Sequence, residues 1–188
     1  MSSHQRKSHT SIGKIYFWTA TIHQWNCLLE NDEFKDLIVA YLKKLSDEGL
    51  LTIYAFVIMP NHIHMIFRQN KLNGKETPKG SLLKYTSHTL LKQLKLDGKA
   101  DLYKVDPSPG SGWQANKSHQ IWQRDSLGVE IYSRKVARQK LDYIHFNPVR
   151  GTWQLAKDDI TYYYSSARFY ETGMDNFGFL NNLYDVFD

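Results

Sequence analysis

Residues 55–69 read AFVIMPNHIHMIFRQ. An apolar run stops at Pro60-Asn61, a pair suited to positions i+1 and i+2 of a tight turn, and a second apolar run follows. The pattern predicts two strands folding back on each other. Residues 50–59 (LLTIYAFVIM) are nearly all apolar and therefore central, and 62–67 (HIHMIF) return antiparallel. Side chains alternate across a strand, so His62, His64 and Ile66 share one face while Ile63, Met65 and Phe67 share the other. The second set is core. The two histidines stand about 7 Å apart along the strand, close enough to converge on one ion. Such pairs also occur by chance on ordinary surface strands, and the chain has 8 His. A metal site would need a third donor from another element.

Working outward, residues 14–22 (KIYFWTATI) are aromatic and β-branched and predict a strand. Residues 31–49 predict a helix: Asn31 or Asp32 can cap it, and Gly49 ends it. Its apolar stripe is Phe34, Leu37, Ile38, Tyr41, Leu42 and Leu45 at i, i+3, i+4 spacing. After a polar loop at 70–80, residues 81–96 form a basic helix. Residues 97–120 are a long loop rich in Gly, Ser and Pro, and the part at 105–118 is expected to be poorly ordered without a ligand. Residues 120–126 are the candidate last strand. A helix over 129–147 is stopped by Pro148. The remainder is aromatic and irregular, with helix expected only around 165–170. The order describes an α+β domain, an antiparallel sheet with helices packed on one face. One domain spans 1–188, with a flexible basic tail at 1–13 and an irregular tail at 171–188.

At 188 residues with 14% aromatics, including 12 Tyr and 5 Trp, the chain can fill one good core and is unlike a disordered sequence. Its net charge of +5 permits a polyanionic partner without demanding one. Cys27 is the single cysteine, which excludes an intramolecular disulfide and a zinc–thiolate cluster and suits a reducing cytoplasm. The polar, basic start is no signal peptide, and the longest apolar run, about ten residues, is half of what spans a bilayer, so no membrane is expected.

The helix at 129–147 offers candidate third donors. Its apolar stripe, Val136, Ala137, Leu141 and Ile144, faces the sheet. Tyr143 and Asn147 fall at the edge of that stripe, stacked one turn apart. A phenol and a carboxamide thus reach the border of the sheet together. Either residue alone reads better as a half-buried polar group at a helix edge, and it is the pair together that points to a site.

MPNHIHMIF and YIHFNPVRG together resemble the REP-associated tyrosine transposases, a branch of the HUH single-tyrosine transposases. IWQRD before the helix and YYYSSARFY after it resemble family signatures in the same order, whereas SLGVEIYSR, following WQRD, departs from the pattern. The resemblance implies a ferredoxin-like, HUH nuclease type of fold. It places a metal on His62 and His64, the nucleophile on Tyr143, and the third metal ligand on Asn147. It also implies single-stranded or hairpin DNA as the partner, and a monomer in preference to a homodimer. Tyr132, almost three turns earlier on the same helical side, is the competing tyrosine.

The implied chemistry is self-consistent. A free phenol has a pKa near 10, so about one in a thousand is ionised at pH 7, and a phosphodiester must be polarised before it is attacked. Two imidazoles and an amide oxygen suit Mg²⁺ or Mn²⁺, although imidazoles would also take Zn²⁺. Attack by Tyr143 leaves a 5′-phosphotyrosine and a free 3′-hydroxyl, and the stored bond energy allows rejoining without ATP. Lys84, Arg124, Arg138 and Arg150, interleaved with aromatics, are candidate DNA contacts. Three rival readings remain at this point: another HUH nickase, a domesticated hairpin-binding protein that no longer cuts, and a metal-dependent phosphodiesterase acting through water.

Overall fold

The computed structural model describes residues 10–105, 118–124 and 126–187. Four strands, β1 (Ile15–Thr21), β2 (Leu51–Met59), β3 (His62–Gln69) and β4 (Leu127–Glu130), form one antiparallel sheet in the order β2-β3-β1-β4. The hairpin at Pro60-Asn61 is present, with Met59 opposite His62. It places β3 in the middle of the sheet, where Thr21 pairs with His62 and Thr19 with His64 on the β1 side.

Register fixes the two faces. Trp18 pairs with Met65 and packs edge-on against Phe67, so these three lie on the face opposite the histidines. Helix α2 (Pro78–Leu96) covers that face, with Lys79 Nζ 6.0 Å from the centroid of the Trp18 ring. Helix α1 (Asp32–Asp47) packs beside α2 through the stacked rings of Tyr41 and Tyr85, 4.1 Å apart. The protein is therefore α+β, an antiparallel sheet with α1 and α2 packed on one face. Helix α3 (Arg134–Phe146) adds to this by crossing the histidine-bearing face, burying Ala137, Leu141 and Ile144.

Local signals explain the helix ends. Asn31 Oδ1 accepts from the Glu33 N–H to cap α1. The amides of Gly49 and Leu50 close its far end on the Ser46 and Leu45 carbonyls, with Gly49 at φ 66°. Helix α2 begins earlier than the expected residue 81, because Thr77 caps it by accepting from the Gly80 N–H and Pro78 occupies its first turn.

Two expectations near the last strand are corrected. Residues 121–123 run beside the end of β1, held by an isolated bridge between Ile22 and Trp122, but they form no ladder. The strand that pairs with β1 is β4, which the expected helix at 129–147 had overlapped. Ser133 caps α3 by accepting from the Val136 N–H, so Tyr132 lies before the helix rather than on its face.

Of residues 171–188, expected as an irregular tail, the described part, 171–187, is irregular but not loose. After α4 (Ala167–Thr172), Phe177, Phe179 and Leu183 join the same core as the sheet, and Leu180 bridges Ile53. Ser166 satisfies the edge of β2 twice: its hydroxyl accepts from the Phe56 N–H and its own N–H donates to the Phe56 carbonyl. The loop expected to be poorly ordered at 105–118 and the basic tail fall mostly on residues outside those described. Among the described residues, no helix is long and apolar enough to cross a membrane.

Candidate active site on the histidine face

The sheet presents His62 and His64 side by side with ring centroids 4.6 Å apart. Each ring is fixed through Nδ1. Asn61 Oδ1 lies 2.6 Å from Nδ1 of His62, and the Thr19 hydroxyl lies 2.7 Å from Nδ1 of His64. The Asn61 amide is oriented by its other end, where Nδ2 donates to the Trp25 carbonyl at 3.3 Å. A carbonyl oxygen only accepts, so His62 Nδ1 carries the proton and Nε2 keeps its lone pair. Such outer hydrogen bonds are the usual means of aiming a histidine at a metal.

Burial sets the charge of both rings. It pushes His62 down to about 4, with a side-chain interaction from Asn147 acting the other way. Burial pushes His64 down to about 3, and the nearby His62 and Lys140 lower it further. Both are neutral at pH 7, which is the form that can ligate.

Helix α3 delivers Tyr143 and Asn147 to this place. Tyr143 meets His64 at 5.1 Å and Phe17 at 5.8 Å between ring centroids, both edge to face, and remains substantially exposed. Asn147 ends the helix one turn later, before Pro148. Lys140 Nζ sits 4.7 Å from the Phe17 ring centroid and 6.0 Å from that of Tyr143. All four predicted residues, His62, His64, Tyr143 and Asn147, line one cavity of about 290 Å³.

Two atoms at this cavity test whether a metal fits. Among the described residues, three buried side-chain polar atoms have no hydrogen-bond partner, and two of them are His64 Nε2 and Asn147 Oδ1. Orphaned buried acceptors are rare because each forfeits its hydration. With the Thr19 hydroxyl accepting from Nδ1 of His64, both are lone-pair donors beside a second neutral imidazole, which is what a divalent cation needs. Among the described residues, no cluster of three or more His, Cys, Asp or Glu could hold a metal, so the third protein donor beside the histidines would be the neutral amide. The residues fit the group.

Of the predicted DNA contacts, Arg150 lines the cavity, its guanidinium carbon 4.8 Å from the Phe146 ring centroid. Arg138 is exposed on α3, and Arg124 is exposed beyond Trp122. Lys84 is on α2, over the opposite face, and bonds Glu76 at 2.6 Å, so the structure does not bring it to the site. Sequence reasoning missed Thr19, Asn61, Trp25 and Trp153. The signal for Thr19 and Asn61 was available, since one is a cross-strand neighbour of His64 and the other precedes His62.

Comparison with solved structures gives the fold a name. Over 97% of this chain and 93% of the other, the protein superposes on a REP-associated tyrosine transposase solved bound to a REP hairpin, with a TM-score of 0.60 and 18% identity. The fold is that of a REP-associated tyrosine transposase. A putative transposase from Deinococcus radiodurans R1 matches more loosely, at a TM-score of 0.41 and 15% identity over 74% of this chain and 95% of that one. No family model and no curated protein matches the sequence.

Proposed function

We propose that the protein is a single-tyrosine DNA transposase that cleaves and rejoins single-stranded or hairpin DNA through a 5′-phosphotyrosine at Tyr143. The observation that carries this reading is the convergence of two neutral imidazoles, an unpartnered amide oxygen and an accessible phenol on one cavity. His62, His64 and Asn147 would hold a divalent ion, Mg²⁺ or Mn²⁺. When bound, that ion would supply positive charge that makes a phosphodiester susceptible to attack.

The chain's own groups do the rest. Asn61 and Thr19 fix the imidazoles so that their free nitrogens face the cavity. Tyr143 approaches from α3, its ring braced by Phe17 and His64 so that the hydroxyl keeps its aim. Its oxygen forms the new bond to phosphorus while the bond from phosphorus to the 3′ oxygen breaks. The phenolic proton leaves to solvent or a base, and the departing oxygen takes one up as the 3′-hydroxyl. A 3′-hydroxyl from a second strand reverses the exchange and restores the phenol. Arg150, at the cavity wall, offers a planar cation to the flanking phosphates.

The deciding experiment incubates the protein with end-labelled hairpin DNA and Mn²⁺, then separates products on a denaturing gel and maps any adduct by mass spectrometry. An adduct on Tyr143 is expected. An adduct on Tyr132 would overturn the assignment of the nucleophile. Cleavage without an adduct would favour hydrolysis through water, and binding without cleavage would favour a domesticated binder.

A further inference from the structure

We propose that Trp25 is a stacking platform for an unpaired base next to the scissile phosphate, held at the cavity by a strained turn that Asn61 ties to the histidine pair. This rests on the nuclease reading and adds which part of the substrate the site grips.

Among the described residues, the non-glycine residues at positive φ are Gln24 and Trp25, at 55° and 59°. Side chains in that region crowd their own backbone, and such strain persists only where surrounding contacts hold it. Four hydrogen bonds do so here. The Ile22 N–H donates to the Asn61 carbonyl and the His23 N–H to Ile121. The Trp25 N–H donates to Ile22, and Asn61 Nδ2 donates to the Trp25 carbonyl. Asn61 therefore serves both sides, with one end of its amide on the turn and the other on His62.

The strain presents an indole to solvent. Trp25 is 58% exposed, whereas Trp18 is 0% and Trp122 7%. An indole is among the largest apolar groups a fold can bury, so leaving one outside on a distorted backbone gives the core nothing. Trp25 touches His62 edge to face, with centroids 6.1 Å apart, and shares the cavity with Tyr143, Arg150 and Trp153. An open aromatic face beside a guanidinium, on a chain of net charge +5, suits a single-stranded nucleic acid: the ring takes a base and the cation takes the phosphate. An apolar peptide would leave Arg150 unmatched.

The test measures binding of labelled single strands by anisotropy for wild type, Trp25→Ala and Trp25→Tyr. The strands carry one abasic site moved stepwise across the cleavage position. Stacking of one base predicts that Trp25→Ala weakens binding roughly five- to hundredfold while Trp25→Tyr stays near wild type. One abasic strand should show the same loss with wild type, and Trp25→Ala should add nothing further on it. Unchanged binding by Trp25→Ala, or losses that add on every abasic strand, would overturn the proposal. Binding is read independently of cutting. A wild type that forms no Tyr143 adduct yet shows the abasic pattern loses the nuclease reading and keeps the platform, and one that cuts without the pattern does the reverse.

Discussion

His64 on β3 and Tyr143 on α3 meet edge to face, with ring centroids 5.1 Å apart and planes inclined by 69°. The contact leaves the phenol braced by its ring and open at its hydroxyl. Removing the hydroxyl alone is therefore a clean experiment. Tyr143→Phe keeps the ring against Phe17 and His64, and its unfolding free energy should change by no more than about 0.5 kcal/mol. Hairpin-DNA binding and metal binding should persist. Cleavage, and any protein–DNA species that survives a denaturing gel, should disappear. Cutting at the wild-type rate would remove Tyr143 from the chemistry.

The orphaned acceptors predict a metal-dependent gain in stability. A ligand bound only by the folded state at about a hundred times its dissociation constant adds about 2.7 kcal/mol. For a chain of this size that corresponds to a rise of roughly 5–10 °C in melting temperature. Wild type should show such a rise with Mn²⁺. His64→Leu fills the pocket with no donor atom, and its melting temperature should not respond. An equal response would mean that the ion binds elsewhere.

The parts of this site that were legible in sequence obey short-range rules. Alternation along a strand put His62 and His64 on one face, and the helical period stacked Tyr143 on Asn147. What stayed hidden depends on long-range pairing. Strand β4 is only LGVE, with Leu127 and Val129 half exposed, and its state is decided by β1 rather than by its own composition. Residues 120–126 looked more strand-like because Ile121 and Trp122 are buried, yet they are buried as a bridge and a lid, with Trp122 Nε1 donating to Thr86. Phe177, Phe179 and Leu183 anchor the last segment without any period to reveal it. The exposure of Trp25 has no sequence signal, since an aromatic after a strand ordinarily reads as core. Thr77-Pro78, by contrast, was a readable helix start, obscured by the Gly and Lys residues around it.

Acid should destabilise the metal-free protein in a defined window. His62 and His145 are held down to about 4 and His64 to about 3, in each case chiefly by burial. The unfolded chain takes up protons on these rings once pH falls through about 6.5, while the folded protein does not. Stability is therefore unaffected by these groups above pH 6.5 and falls as pH drops from there towards 4. The slope approaches about 1.4 kcal/mol per pH unit for each ring. Urea unfolding at pH 7, 6 and 5 measures it. His145 lies outside the cavity, with Nε2 3.0 Å from the Ser166 hydroxyl, so its share should be independent of added Mn²⁺. A flat profile between pH 7 and 5 would show that these rings protonate in place.

If the turn at Gln24 is strained, relieving it should stabilise the fold. Gln24 has φ 55° and ψ 23°, in the left-handed region, with its side chain exposed. A residue with a Cβ is disfavoured there by about 1 kcal/mol or more, and glycine is not. Glycine also gives the unfolded chain more freedom, which offsets part of the gain. Gln24→Gly should therefore raise stability by up to about 1 kcal/mol, or roughly 2–4 °C in melting temperature. The neighbouring substitution behaves differently, because Trp25→Gly removes the indole as well as the strain and so confounds the two. Thermal melts of Gln24→Gly and Gln24→Ala separate strain from side-chain loss, since alanine keeps the Cβ and should give no gain. A Gln24→Gly protein that melts lower than wild type would mean that the turn is not strained and that the exposure of Trp25 needs another cause.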